Sequence, residues 1–506
     1  MYFFYCFPNF YYFCGFETEG SLMINVTTKI HDKFSIEFKV GFAGSEHDSV
    51  NDFTVNSWIF VPYSLDINPS TYGKEQFYRD VKSNVRLITP EFRLQEMVDG
   101  EKVPLRNVQD LLQKYTEQPT ETNLSEYNFH VRLFAAIFKS ALRNEVRELL
   151  SLHDPATLAD GCRQLETRVT QVLEQFRAIR TTNTPRPKVD VFSYADEYMS
   201  HLTDVQVTRL VRRLHKLHAP ETDTVCEALT QWLLQERAYK TQRGYSHLEE
   251  DGKAENRELV LRHGLLKKNI ESALYLKADT EPDSQTAQQL VFGIAAGIAM
   301  FVYVLITLPL QAYLGNYPML ILAILVISYI LKDRIKEYFR ARFAYRLKDK
   351  YFDSKTLVQF KGTQIGWMKE GVDYIDESKT PEKVLTLRKR SSLEADNTLL
   401  GEQTLLYRKQ VHIDNEQLRN QYRYAFSGIH DIMRLHIQHF TLKMDDPDLA
   451  LDAINPQGEL QTIHTQRIYP LYVVLQFIHN EQTEYRSFRI TATRNGIVEC
   501  VENPVS

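Results

Sequence analysis

His436 and His439 stand three residues apart, with His430 close by. Paired imidazoles on one helix face can ligate a metal, but no Cys or Glu completes a set such as H-E-x-x-H, so ordinary imidazoles are expected. His215 and His218 lie in Arg212-Arg-Leu-His-Lys-Leu-His218, where neighbouring bases repel a cation. That pattern reads as a solvated face. Asp445, Asp446, Asp448 and Asp452 form an acidic group of the kind that does acid–base or metal work. Asp446-Pro447 reads first as a helix stop and Asp448 as a cap. The 5 cysteines are scattered, with no C-x-x-C. This suits free thiols in a reducing compartment better than a disulfide framework or a zinc site. G-x-x-x-x-G-K-[ST], G-x-G-x-x-G and G-x-S-x-G are all absent. The sequence therefore assigns no catalytic residue, cofactor or metal.

The strongest pattern is apolar. From Ser284 to Leu331 no Asp, Glu, Lys or Arg occurs. Leu290–Leu310 is long enough, as a helix, to cross a hydrocarbon core of roughly 30 Å. Tyr317–Leu331 is a second run, and Gly315-Asn316 between them signals a turn. A two-helix transmembrane hairpin is expected. The second run alone reaches only about 22 Å, so two readings compete. The helix continues through Ile335, Phe339, Phe343 and Leu347 while its bases snorkel to the headgroups, or the hairpin is re-entrant and never fully crosses.

Past the second run lie Lys332, Arg334, Lys336, Arg340, Arg342, Arg346, Lys348 and Lys350, and the connecting loop has no base. Lys/Arg excess marks the cytoplasmic side, so both ends are expected to face the cytoplasm, at a cell inner or plasma membrane. The same cluster is a candidate contact for anionic lipid headgroups. Gly293 and Gly297 form a GxxxG pattern, read either as a homo-oligomer face or as packing against the chain's own second helix. No charge lies within the apolar runs, which argues against a proton relay or voltage sensor. An oligomeric pore would have only Tyr303, Thr307, Gln311 and Ser328 as polar lining.

The rest of the 506 residues reads as globular: 43% hydrophobic, 25% charged, net charge -5 and mean hydropathy -0.35. So mild a charge does not suit a nucleic-acid binder. Residues 1–22 are aromatic-rich and fit no element period. They are expected either to follow a misassigned start, with Met23 the true one, or to anchor at an interface. Alternation at Phe34–Phe42 and Val55–Val61, with a helix over Tyr72–Val85, gives a small α+β unit at 23–103. Residues 104–283 carry helical stripes, most clearly Leu158, Cys162, Leu165, Val169, Val172 and Phe176 behind an Asp154-Pro155 cap, and read as an antiparallel bundle. A basic juxtamembrane helix at 332–350 leads to a β-rich domain at 351–506. That domain is expected to hold strands at Val384–Lys389 and Thr404–Ile413, one long helix over Glu416–Met444, and a terminal meander turned at Asn495-Gly496.

The fold class is thus an α+β membrane protein. The functional expectation is a two-pass scaffold, adaptor or regulator with a protein partner at the cytoplasmic face, its helical bundle offering the groove. The alternative is a membrane-anchored enzyme whose site assembles from residues distant in sequence.

Overall fold

The computed structural model describes residues 24–43, 49–99, 104–180, 189–217, 220–249, 252–283, 285–313, 318–348, 352–388, 401–420, 426–480 and 482–504. It is a mixed α+β protein that divides into two compact units. The first comprises residues 1–85, 276–418 and 428–506; the second comprises 86–275 and 419–427.

Strands of the first unit are β1 (Ile24–Asp32), β2 (Ser35–Ala43), β3 (Val50–Pro62), β4 (Val81–Leu87), β5 (Lys277–Glu281), β6 (Ser354–Phe360), β7 (Thr363–Ile375), β8 (Glu402–Asp414), β9 (Gly428–His436), β10 (Asp448–Ile454), β11 (Leu460–Gln466), β12 (Tyr469–His479), β13 (Gln482–Thr493) and β14 (Gly496–Asn503). They form a four-stranded sheet in the order β1-β2-β9-β4, an eight-stranded sheet β14-β13-β12-β3-β8-β7-β6-β5, and the ribbon β10-β11. The β-rich segments that the sequence separates, 23–103 and 351–506, therefore share one sheet. β3 lies between β8 and β12, with Trp58 opposite Leu406 and Val474.

The two sheets face each other through aromatic side chains. Phe38 of β2 meets Phe488 of β13 edge-on at 5.6 Å, and Phe42 meets Phe53 at 5.1 Å. Offset and edge-on pairs of this kind add to the value of the area they bury. The opposite face of β3 carries Trp58 and Phe60. With Tyr472 and Val474 they are covered by Val384 and Leu387. Both faces of β3 and β12 are thus buried, and this is why their apolar runs are nearly continuous rather than alternating.

Four sequence expectations are corrected. Val384–Lys389 is not a strand, because Glu382–Leu387 forms a short helix that caps the Trp58 face. The helix expected over Tyr72–Val85 ends at Asp80 and runs directly into β4. Glu416–Met444 is not one helix: Asn415–Asn420 and Gln438–Thr441 are short helices on either side of β9. The terminal meander forms, but Thr493 pairs with Gly496, so its two-residue turn is Arg494-Asn495. Gly496 serves another purpose. At φ +130° it lets Ile497 N donate to Lys33 O at 2.8 Å, where a Cβ would lie 2.3 Å from that oxygen.

In chain order the helices are α1 (Lys74–Asp80), α2 (Pro104–Glu117), α3 (Glu121–Ser151), α4 (Pro155–Ala178), α5 (Val191–Leu217), α6 (Pro220–Arg243), α7 (Lys253–Glu271), α8 (Gln285–Tyr313), α9 (Pro318–Lys348), α10 (Glu382–Leu387), α11 (Asn415–Asn420) and α12 (Gln438–Thr441). Helices α2 to α7 make the second unit. Asp154 caps α4 by accepting from Thr157 N at 2.8 Å, and the Leu158-to-Phe176 stripe is buried as its spacing predicts. Phe176 stacks between Phe134 of α3 and Phe192 of α5 at 5.0 and 4.4 Å. Arg177 then bonds Asp196 of α5 at 2.8 Å and Glu236 of α6 at 2.5 Å, locking three helices through charge-assisted bonds. A bridge between Arg86 and Tyr275 closes the unit where the chain enters and leaves it.

Candidate functional site: the helix pair and the charged cavity at its root

β5 and β6 pair antiparallel, from Lys277 with Gln359 to Glu281 with Lys355. The same pairing continues beyond the sheet. Lys332 Nζ of α9 lies 5.8 Å from the Tyr303 ring of α8, and the Arg340 guanidinium lies 4.5 Å from the Phe292 ring. The paired residue numbers move in opposite directions, so α8 and α9 run antiparallel and grow from the edge of the eight-stranded sheet. Asp283 fastens the root, accepting from Phe352 N at 3.3 Å and pairing with Lys369 at 2.9 Å.

Among the described residues, one helix is long and apolar enough to cross a membrane, over Gln289–Pro309 with mean hydropathy 2.4. The sequence predicts two such segments. α9 is a single helix of 31 residues, roughly 46 Å long, continuing through Ile335, Phe339 and Phe343. Its charged residues begin at Lys332, so its uncharged part stays short.

Among the described side chains of α8, Ala295, Ala299 and Thr307 are the buried ones, and with Phe292 and Tyr303 they form one stripe towards α9. Gly293 and Gly297 fall on the adjoining, exposed face, and a Cβ built on either would meet nothing within 4 Å. The small residues of the buried stripe are thus Ala295 and Ala299, not the glycines of the GxxxG pattern.

The candidate lipid-contact bases fall into three groups. Lys332, Lys336 and Arg340 already have partners: Tyr329 at 3.9 Å, Asp333 at 3.4 Å and Glu337 at 3.3 Å. Arg334 and Arg342 are exposed. The side chains of Arg346 and Lys348, together with Lys350, residues 1–22 and the Gly315-Asn316 turn, lie outside the described residues.

Sequence reading missed a charged cavity of about 580 Å³ beside β5 and β6, lined by Lys74, Tyr78, Ser83, Thr280, Asp353 and Glu370 among others. Lys74 bridges Asp353 at 2.8 Å and Asp373 at 2.9 Å, and Tyr78 donates to Asp353 at 3.0 Å. Behind Glu370 lies Lys409, which pairs with Glu370 at 2.7 Å and also with Asp431. Ser83 donates to Asp431 at 2.6 Å. Burial alone would push the Lys409 ammonium down, but Asp431 and Glu370 outweigh it and hold its pKa above the usual lysine range. Lys409 is therefore a fixed cation and hydrogen-bond donor rather than a nucleophile. One signal of it is present in the sequence: in β8, Tyr407, Lys409, Val411 and Ile413 occupy the buried alternate positions.

The histidines and aspartates singled out by spacing are dispersed. His436 is on β9 and bonds Ser35 at 2.9 Å, whereas His439 is on α12 and pairs with Asp80 at 3.0 Å. His430 is on β9 and His215 is exposed on α5; His218 is outside the described residues. Asp445 pairs with Arg467 at 3.0 Å, and Asp452 accepts from Thr462 at 2.8 Å. No group of three metal-ligating side chains occurs among the described residues. Cys162, Cys226 and Cys500 are free thiols, and burial pushes Cys162 up to about 11.

No protein-family model, curated protein or solved structure matches this chain.

Proposed function

We propose that this chain is a membrane-attached scaffold or adaptor. In this reading α8 and α9 enter a bilayer and return, and both soluble units stay on the cytoplasmic side. The observation that carries the reading is the outward face of α8, where Leu290, Ile294, Phe301, Leu305 and Leu308 are exposed with no polar side chain among them. Water solvates such a continuous apolar surface poorly, and patches of this kind mark interaction sites. The Lys/Arg excess after Leu331 supports the cytoplasmic orientation.

A protein partner is proposed for the helical unit. Its α7 exposes Val260, Leu261 and Leu265, interleaved with the exposed Arg257 and Lys268, which supports docking of a partner there. The enzyme alternative rests on the cavity. Its cations and carboxylates are already paired with one another, which favours ligand binding or structural support over catalysis.

Flotation tests the attachment. The full chain should rise with phosphatidylcholine–phosphatidylglycerol vesicles, and a chain with residues 284–351 replaced by a Gly-Ser linker should stay at the bottom. Equal flotation of both would refute anchoring by α8 and α9. Orientation is tested in intact cells, where Ser70→Cys and Ser427→Cys should resist a membrane-impermeant thiol reagent. Modification of either would reverse the proposed sidedness.

A further inference from the structure

We infer that the α8–α9 pair lies obliquely within one leaflet, α8 facing the hydrocarbon and the base of α9 facing the headgroups, rather than crossing the bilayer. The inference rests on the membrane attachment proposed above and concerns its geometry. The antiparallel pairing decides it. Tyr303 is level with Lys332, and Phe292 is level with Arg340. If Gln289–Pro309 stood upright across the hydrocarbon, the charged stretch of α9 from Lys332 to Arg342 would lie beside its lower half. Each such charge near the bilayer centre costs about 2.5–3.5 kcal/mol on insertion scales. Raising the pair until Lys332 reaches the surface leaves only Pro318–Leu331 of α9 uncharged, roughly 21 Å, against a core of roughly 30 Å. It also strands Leu290 and Ile294 in water. An upright pair has no position that satisfies both helices.

Laying the pair over removes the conflict, because the charges and the apolar residues occupy opposite sides of it at the same level. The side of α9 away from α8 exposes Arg334, Glu337, Tyr338 and Arg342, and the side of α8 away from α9 exposes Leu290, Ile294 and Phe301. Packed helix axes lie about 8–10 Å apart, comparable to the roughly 5–10 Å to which interfacial amphipathic helices sink. Two stacked helices therefore bridge headgroup and acyl chain. Towards the tip α9 also turns apolar outward, at Leu322, Val326, Ile327 and Ile330, so the distal end dips deepest.

Ile294 and Tyr338 sit at nearly the same level of the pair but on opposite sides, and both are exposed, 50% and 66%, so replacing them disturbs little packing. Ile294→Cys and Tyr338→Cys are made separately in the full chain and labelled with an NBD fluorophore. Unsubstituted protein carried through the same labelling gives the background. Phosphatidylcholine–phosphatidylglycerol vesicles carry lipid with a nitroxide on the upper acyl chain. The label at 294 should lose severalfold more fluorescence than the label at 338. Equal, strong quenching at both sites would mean an upright crossing, which overturns the oblique placement and leaves the attachment intact. Quenching at neither site would likewise overturn the oblique placement, and flotation of the same labelled chains would then separate attachment by the distal tips alone from no attachment.

Discussion

Lys409 and Glu370 are direct ladder partners on β8 and β7, and 2.7 Å separates ammonium from carboxylate. Asp431 reaches the same ammonium from β9, a strand of the other sheet. One cation thus stands between two carboxylates, one from each sheet. Lys409→Met should destabilise the first unit by about 3–5 kcal/mol, because it strands buried charge. The measurement is the urea midpoint followed by tryptophan fluorescence. Adding Glu370→Gln and Asp431→Asn to the same chain should recover most of the loss, since no uncompensated charge remains.

His201 and His263 stack with ring centroids 3.3 Å apart. Burial pushes them down to about 3 and about 4; the charges of His263 and Lys240 add to this at His201, and those of Lys240 and Arg262 add to it at His263, where Glu197 opposes. Both are therefore neutral in the fold at pH values where the unfolded chain, with an ordinary histidine pKa near 6.5, binds protons. The unfolded state gains protons first, so the pair's contribution is intact above about pH 6.5 and is lost as pH falls towards 4. The thermal midpoint of the helical unit should drop across that interval. A His201→Phe, His263→Phe chain should show a shallower drop; an unchanged slope would contradict the assignment.

How much of this was legible in the sequence depended on where each residue's partner lies. The α4 stripe and its Asp154-Pro155 cap were readable because every interaction they need is within a few turns. β9 was misread as helix because its buried positions, Ile429, Asp431, Met433 and Leu435, include a carboxylate that breaks the apolar alternation. Asp431 is explained only by Lys409, itself an inward lysine in β8. Neither residue alone predicts burial, though the pair does. The union of the N- and C-terminal strands was out of reach for the same reason. Asn56 bonds Gln476 at a separation of 420 residues, and local periodicity says nothing about strand order.

Arg334 and Arg342 test the headgroup contact. Each base near an anionic surface is worth about 1 kcal/mol. Arg334→Gln with Arg342→Gln should therefore weaken vesicle binding by roughly thirtyfold on phosphatidylglycerol-containing vesicles at low salt. On pure phosphatidylcholine the same chain should bind as the unsubstituted one does. Equal weakening on both lipids would assign these bases to folding rather than to lipid.

Gly496→Ala should cost more than Gly458→Ala. At Gly458 φ is +84° and nothing lies within 4 Å of a Cβ, so only the left-handed backbone penalty of about 1–2 kcal/mol applies. At Gly496 the methyl group would press on Lys33 O, 2.3 Å away, and push the last turn of the meander from the β1–β2 turn. Urea midpoints of the two chains should separate in that order.

The place of β3 in the eight-stranded sheet sets an order of events during synthesis. Its residues leave the ribosome early, yet both ladder neighbours, β8 and β12, are encoded far downstream, beyond the helical unit and the α8–α9 pair. The helical unit is almost contiguous in sequence and has its partners to hand as it emerges, and domains generally fold as units in that N-to-C direction. β3 must wait, carrying two unpaired edges and the apolar side chains of Trp58 and Phe60. By the time β12 arrives to close it, α8 and α9 have already left the ribosome. Closing the middle of the eight-stranded sheet is therefore the capture of an early strand by a late one, after α8 and α9 have been made.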